Sequence, residues 1–368
     1  MRKTISSFIL IILLIAPSFV YSKPIIKIIS KDQLVHNESV SIFGTNFGKK
    51  NQSKPLVYDN FDENSVGRQN GDIIAGKNCS HYGKWRNSTY NVAPTYSNSE
   101  NRDGSKLCSY HYVRGGTGVN HAPMWVDFSD KNEETLLISF WTKLSYTLGS
   151  DDSWQLKYFR LTNGTSDTDD NTYFQDLWWT NRTPGLMGYF EFFLNPTNPA
   201  WTNYSILQKY SDVSLDYDKK SNVWNNYVIF IKQSDSKVSN GIVQIWIDGK
   251  QIANETSMVT FETGEIVKSA TFMWYLGNNE GDGSATVYFD DVYIDNSWAS
   301  IWIGEKQNWS DCNHKEIQIP IKWPRVTYTN QDRIDFIVNK GSFKGGDQAY
   351  LFLINEDGEV SDGKLIGF

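Results

Sequence analysis

The chain has 368 residues, of which 15% are aromatic, and it carries a formal net charge of −7. The length exceeds what one small domain needs, and the acidic balance without any Lys/Arg-rich run argues against nucleic acid as a partner. The abundance of aromatic residues favours β-structure. The 14 Trp also suit sugar binding, because the flat face of a pyranose stacks on an indole ring.

The N-terminus has the parts of an export signal. Arg2 and Lys3 precede an apolar run, Phe8–Ala16, and permissive cleavage residues end at Ser22. The alternative is a membrane anchor, but the run is shorter than the roughly 20 residues of a spanning helix. We therefore expect a cleaved signal peptide over residues 1–22. The mature protein is then secreted, on the cell surface or periplasmic, with no membrane span.

The next segment, residues 24–55, contains a strand followed by a glycine-rich turn. Val40 and Ile42 alternate with serines, and Gly44-Thr-Asn-Phe-Gly48 comes next. This phrase resembles the opening of an IPT/TIG domain, a small immunoglobulin-like module. The match covers less than half of such a domain.

Alternating runs bounded by Gly, Asn or Asp fill residues 56–299 and predict antiparallel strands. The last four runs, from Trp224 to Asp295, include a tight hairpin at Asp248-Gly249. Their order resembles the last third of a concanavalin A-like jelly roll, as found in polysaccharide lyases, glycoside hydrolases and lectins. The resemblance implies a curved sheet with a concave face that holds a sugar chain.

Further strands are predicted over residues 300–368, with a turn at Asn355-Glu-Asp-Gly358. They look like the closing half of the IPT/TIG pattern. A short β-fragment cannot bury its apolar face alone. We therefore predict an all-β protein in which the jelly roll, residues 56–299, interrupts one immunoglobulin-like sandwich made of residues 24–55 and 300–368. The alternative is a separate C-terminal module and an independent N-terminal segment.

Catalytic motifs of known relatives with this fold are not intact. The Glu-x-Asp-x-(x)-Glu strand of retaining glycosidases is absent, which disfavours hydrolysis. β-Elimination needs a base, an acid and a group that neutralises the uronate. In a regular strand Lys157 and Arg160 lie on opposite faces, so Tyr158 and Arg160 are the candidate catalytic pair of a lyase. The alternative is that Tyr158 packs and Arg160 pairs with an acid.

Aromatic pairs and nearby polar residues are candidate sugar contacts, because one ring of each pair can face a ligand while the other packs inward. The candidate ligand-binding residues are Lys157, Gln175, Trp178, Trp179, Trp274, Tyr275 and Asn278. The alternative is that these rings only pack and anchor loops.

Acidic residues cluster at the two ends of the predicted jelly roll, and the resemblance to concanavalin A-like domains implies that its first and last strands lie side by side. Asp59, Asp290 and Asp291 supply oxygen ligands of the kind that Ca²⁺ prefers. A structural calcium ion is therefore one hypothesis, and capping of turns by Asp is the other. No other cofactor is expected.

The exported part holds three cysteines, and export permits disulfides. Cys79 and Cys108 flank one turn-rich segment and are the predicted pair, which leaves Cys312 over.

The leading interpretation is a non-catalytic protein that binds a polysaccharide or glycan. The first alternative is a polysaccharide lyase that cleaves a uronate-containing polymer by β-elimination. The second is a structural or adhesion module. Whether the protein is an enzyme stays open, and a lyase is favoured over a glycoside hydrolase if it is one.

Overall fold

In a computed structural model, the regular secondary structure of the described residues is almost entirely β-strand. The structure describes residues 22–62, 68–86, 93–102, 104–114, 122–127, 134–147, 155–162, 173–180, 187–194, 202–205, 222–235, 238–260, 267–277, 284–324 and 332–368. Within these ranges no helix is long and apolar enough to span a membrane. The predicted signal peptide lies outside them, except for its last residue.

The strands are numbered here in chain order. The first eleven are β1 (Ile25–Ile29), β2 (Ser39–Thr45), β3 (Val57–Asp59), β4 (Thr95–Ser97), β5 (Cys108–Arg114), β6 (Met124–Asp127), β7 (Thr135–Thr147), β8 (Gln155–Thr162), β9 (Tyr173–Thr180), β10 (Met187–Leu194) and β11 (Thr202–Ser205). The others are β12 (Trp224–Lys232), β13 (Gly241–Ile247), β14 (Lys250–Met258), β15 (Ser269–Gly277), β16 (Ser284–Asp295), β17 (Ser300–Gly304), β18 (Lys315–Ile317), β19 (Ile319–Lys322), β20 (Asp332–Ile337), β21 (Ala349–Ile354) and β22 (Lys364–Ile366). A short 3₁₀ helix, Trp309–Asp311, follows β17.

Two large antiparallel sheets form the main sandwich. The eight-stranded sheet has the order β14-β13-β12-β7-β16-β5-β4, with β3 paired to β16, and the six-stranded sheet has the order β11-β10-β9-β8-β15-β6. Phe140 of the first sheet contacts Phe159 and Phe272 of the second at ring-centroid distances of 5.3 and 5.5 Å. These rings belong to the main hydrophobic core. The predicted all-β fold class is confirmed.

The tight hairpin predicted at Asp248-Gly249 is confirmed. The two residues have φ angles of 47° and 72° and connect Ile247 to Lys250, which pair with each other at the ends of β13 and β14. Positive φ at both central positions is the requirement of a type I′ turn, and Asp-Gly meets it at little cost. The turn therefore sets the first two residue pairs of the hairpin, and beyond them the register of β13 and β14 shifts.

A second, smaller sandwich joins the two ends of the described chain. β2 pairs with β20, with Val40 opposite Phe336, in a sheet of order β1-β2-β20-β19. The facing sheet has the order β18-β17-β21-β22. Ile42, Ile301 and Leu351 lie in the core between them. The prediction that one sandwich is interrupted by the jelly roll requires pairing of this kind between early and late strands. The domain boundaries and the IPT/TIG identity stay predictions.

The small sandwich packs on the outer side of the eight-stranded sheet. Leu137 of β7 and Trp302 of β17 belong to one buried apolar cluster at this junction. Nearby, the fully buried Lys50 donates to the carboxylate of Asp295, which also accepts from the hydroxyl of Tyr293 at 2.6 Å. Apolar packing and buried ion pairs together therefore hold the two sandwiches in contact.

Candidate functional site

A β-bulge in β8 decides which side chains share a face of the six-stranded sheet. Lys157 lies opposite Trp178 and Arg160 lies opposite Asp176, although these two partners are only two residues apart in β9. Tyr158 is the extra residue. Because alternate positions of a strand share a face, Lys157 and Arg160 point to the same side. The expectation that they lie on opposite faces, which assumed a regular strand, is wrong.

Arg160 is buried on the side of the sheet that looks away from the main core. Its neighbours Phe159 and Leu161 both lie in that core, so Arg160 points to the opposite side, where it is 6% exposed. Lys157 is half-buried on the same side. The guanidinium therefore lies deeper than the ammonium on this face.

Short hydroxyl side chains flank Arg160. Thr271 of β15 pairs with Arg160 on one side and with Trp125 of β6 on the other. Thr162 and Ser269 pair with each other further along. All five residues are buried, and Oγ1 of Thr271 has no hydrogen-bond partner in the described part of the chain. Leaving a buried hydroxyl without a partner costs about 1–3 kcal/mol, so a ligand that reached it would relieve that cost.

We call this surface the outer face of the six-stranded sheet. It is defined by residues that project away from the main core, and they are Trp125, Lys157, Arg160, Thr162, Ser269 and Thr271. Two of the predicted site residues, Lys157 and Arg160, are therefore brought together.

The other predicted contacts share one property, which is that their side chains fall outside what the structure describes. They are Tyr158, Gln175, Trp178, Trp179, Trp274, Tyr275 and Asn278. Backbone pairing nevertheless puts Trp178 and Tyr275 on the two sides of Lys157. The roles of these residues stay predictions.

The acidic residues considered for calcium have protein partners. Asp59 accepts a hydrogen bond from Nη1 of Arg68 at 2.7 Å, and both Asp290 and Asp291 lie against the guanidinium of Arg102. Among the residues with described positions, no group of three or more His, Cys, Asp or Glu is suited to a metal ion. The calcium hypothesis stays a prediction, and this geometry lends it no support.

Arg102 is the centre of a buried network between the two sandwiches. It donates to Asp291 of β16 and to Glu316 of β18, and a bulge in β16 brings Asp290 to it as well. Burial alone would raise the pKa of Glu316, but Arg102 and His314 outweigh it and lower the pKa to about 2. Burial raises the pKa of Asp290 well above its usual range, although Arg102 opposes this. The network thus favours the ionised form of Glu316, whereas burial disfavours the ionised form of Asp290.

All three cysteines are free and buried, so the predicted disulfide between Cys79 and Cys108 is wrong. Cys79 packs in the main core, whereas the thiol of Cys108 lies 3.5 Å from the carbonyl oxygen of Ser97. Cys312 is in the junction cluster. Burial raises the pKa of each thiol. Each thiol has its own packing environment, and Cys79 and Cys108 are not bonded although they are close in the sequence.

His111 is a structural histidine in β5. It is fully buried, with Nδ1 at 2.7 Å from the carbonyl oxygen of Ala122 and Nε2 at 3.0 Å from Oγ of Ser109. Burial lowers the pKa of His111 to about 4, although the bond to Ala122 opposes this. The ring is therefore neutral at neutral pH and out of reach of a ligand.

Thr271 is the site residue that the sequence-based predictions missed. Its alternation with Ala270 and Phe272, which both lie in the main core, was the signal that could have found it. The bulge at Tyr158 left no comparable signal, because it depends on how β8 and β9 pair.

No protein-family model matches the chain, and no curated protein matches it. Solved structures similar to it include an endo-β-1,4-glucuronan lyase from the fungus Trichoderma reesei, at 15% identity and a TM-score of 0.44, over 63% of this chain and 97% of that one. A PL-14 alginate lyase from Aplysia kurodai is 14% identical, with a TM-score of 0.36, over 55% of this chain and 86% of the lyase. The binding domain of a botulinum neurotoxin of serotype D/C is 13% identical, with a TM-score of 0.36, over 76% of this chain and 71% of that one. The chain is thus similar at low identity to polysaccharide lyases, among other proteins.

Proposed function

We propose that the protein is exported and binds an acidic polysaccharide across the outer face of the six-stranded sheet. The observation that carries this proposal is the bulge at Tyr158, which gives Lys157 and Arg160 the same face. Two cations on one face favour a polyanion, and charge-assisted hydrogen bonds to a carboxylate are stronger than neutral ones. A uronate polymer, with a carboxylate on each sugar, fits this arrangement.

The hydroxyl groups of the same face support a sugar as the carrier of those carboxylates. Thr271 offers a buried Oγ1 that has no partner among the described residues, and Thr162 and Ser269 lie nearby. A sugar hydroxyl both donates and accepts hydrogen bonds. Short polar side chains beside two cations therefore match the alternation of hydroxyl and carboxylate along a polyuronate.

The test is calorimetric titration with alginate, as a polyuronate, and with a neutral β-glucan. The Arg160→Ala variant removes a charge-assisted contact worth about 1.5–3 kcal/mol, so alginate binding should weaken about 10- to 100-fold. The matched control is Arg333→Ala in the small sandwich, where the arginine is exposed and paired with Asp335 at 2.7 Å. This control should bind alginate as the unmodified protein does.

Three results would overturn the proposal. One is an Arg160→Ala protein that binds alginate with unchanged affinity, and another is a preference of the unmodified protein for the neutral glucan. The third is that neither polymer binds, in which case the structural or adhesion interpretation replaces the present one.

Cleavage by β-elimination is the second candidate function. Bulges occur next to active sites, where they redirect a side chain, and here the extra residue is a tyrosine between two cations. In such a reaction Arg160 would neutralise the uronate, and the hydroxyl of Tyr158 would transfer a proton. Ultraviolet absorbance of the unsaturated product would reveal it. Tyr158→Phe should then abolish turnover and spare binding, because only the hydroxyl is lost. Binding without that absorbance supports the non-catalytic function.

A further inference from the structure

A pocket lined by tryptophans lies at the junction of the two sandwiches, away from the outer face of the six-stranded sheet. Its cavity has a volume of about 90 Å³ and opens to solvent. Four of the chain's 14 Trp line it, and they are Trp246, Trp298, Trp302 and Trp309. We call it the junction pocket.

One wall of the junction pocket is the outer side of the eight-stranded sheet. Gln244 and Trp246 alternate in β13 with Val243 and Ile245, which lie in the main core. Both therefore project toward the small sandwich, and Asn226 of β12 lines the same wall. This wall presents one indole and two carboxamides.

The other wall belongs to the small sandwich and is built from indoles. Nε1 of Trp302 donates to Oγ of Ser300 at 2.8 Å, and the Trp302 and Trp309 rings meet edge to face at 5.7 Å. A side chain at Gly358, where φ is 86°, would collide with the ring of Trp298. The backbone at Gly358 thus packs closely against the Trp298 ring, and the hydrogen bond to Ser300 orients Trp302.

The charge in the pocket is already satisfied by protein groups. Nζ of Lys315 donates to the carbonyl oxygen of Cys312 at 2.5 Å and to that of Gly249 at 3.2 Å. It also lies 4.6 Å from the centre of the Trp309 ring. An ammonium with two carbonyls and a ring face has little left for an anion, so the pocket suits an uncharged ligand.

We propose that the junction pocket binds one unit of a neutral saccharide. Indole faces match the C–H surfaces of a pyranose. The amide nitrogens of Asn226 and Gln244 already donate to Phe140 and Asn254, which leaves their carboxamide oxygens to accept hydrogen bonds from the sugar hydroxyls. This site is separate from the proposed polyuronate site, because it has different residues and takes an uncharged sugar. It does not depend on that function.

The test uses the methyl glycosides of glucose, galactose and mannose, together with N-acetylglucosamine. Tryptophan fluorescence and saturation-transfer NMR should show that at least one of them binds, with a Kd on the order of 1 mM. Trp246→Ala should weaken that binding at least about tenfold, since an aromatic face is lost. Gln244→Ala should weaken it less, because one polar contact is removed.

The matched control is Trp224→Ala, which removes another half-buried tryptophan from β12, outside the pocket lining. It should leave saccharide binding unchanged. The proposal is overturned if none of the four sugars binds, or if Trp246→Ala binds as the unmodified protein does. Should Trp246→Ala fail to fold by circular dichroism, Gln244→Ala decides, and unchanged affinity in that variant overturns the proposal.

Discussion

Replacing Glu316 by Gln removes the charge that balances Arg102 inside the junction. Both residues are buried, and Oε2 of Glu316 also accepts a hydrogen bond from Nε1 of Trp141 at 3.2 Å. Glutamine keeps the shape and some hydrogen bonds but leaves the guanidinium with less opposing charge. We expect Glu316→Gln to fold with lower stability, because an uncompensated buried charge is unfavourable.

The size of the loss follows from the pKa of Glu316, which falls from 4.5 to about 2 because Arg102 and His314 outweigh burial. Such a shift corresponds to about 3 kcal/mol of stability at neutral pH. Removing one partner of a buried ion pair costs about 3–5 kcal/mol in other proteins, which agrees. Since the folded pKa is depressed, this stability is present above pH 4.5 and is lost as the pH falls toward 2.

Urea unfolding, followed by tryptophan fluorescence at several pH values, measures the effect. The gap between the unmodified protein and Glu316→Gln should be about 3 kcal/mol at pH 7 and should shrink below pH 4.5. The matched control is Asp335→Asn, which removes the acid of the exposed Arg333 pair and should cost no more than about 1 kcal/mol. A gap at pH 7 as small as that of the control, or one that does not depend on pH, would refute the reasoning.

The remaining predictions concern other buried groups. All three cysteines should resist a thiol reagent in the native protein and all should react in urea without reductant, because burial raises their pKa values and none is bonded; fewer than three reactive thiols would contradict this. His111→Gln should flatten the pH dependence of unfolding between pH 6.5 and 4, since a lowered folded pKa gives stability above pH 6.5 that is lost as the pH falls through about 4. Lys50→Met should lower the free energy of unfolding by about 3 kcal/mol, because the buried Asp295 loses its counter-charge, and adding Asp295→Leu should restore much of that loss; calorimetric unfolding of both variants checks this.

The large features of the fold could be predicted because they depend on local patterns. Alternation in β13 predicts which residues face the core, and the Asp248-Gly249 turn predicts the hairpin that follows. Both signals are complete within a few residues, so no knowledge of distant partners is needed.

The candidate site could be predicted only in part, because its geometry depends on pairing between strands. Arg160 was found from its strand, but its shared face with Lys157 required the bulge. The Arg102–Glu316 contact joins residues 214 apart, and no local pattern announces it. The wrong disulfide has the same origin, because thiol pairing depends on the geometry of the fold and not on spacing along the chain.

The pairing of β2 with β20 has a consequence for the order of events during synthesis. Ser41 and Asp335, which are hydrogen-bonded across these strands, are 294 residues apart. At about 5–20 residues per second, a ribosome needs roughly 15–60 s to make the stretch between them. Throughout that time β2 has no partner on this edge, and its apolar face is uncovered. A chaperone that holds extended segments would therefore protect β2 until β20 has been made.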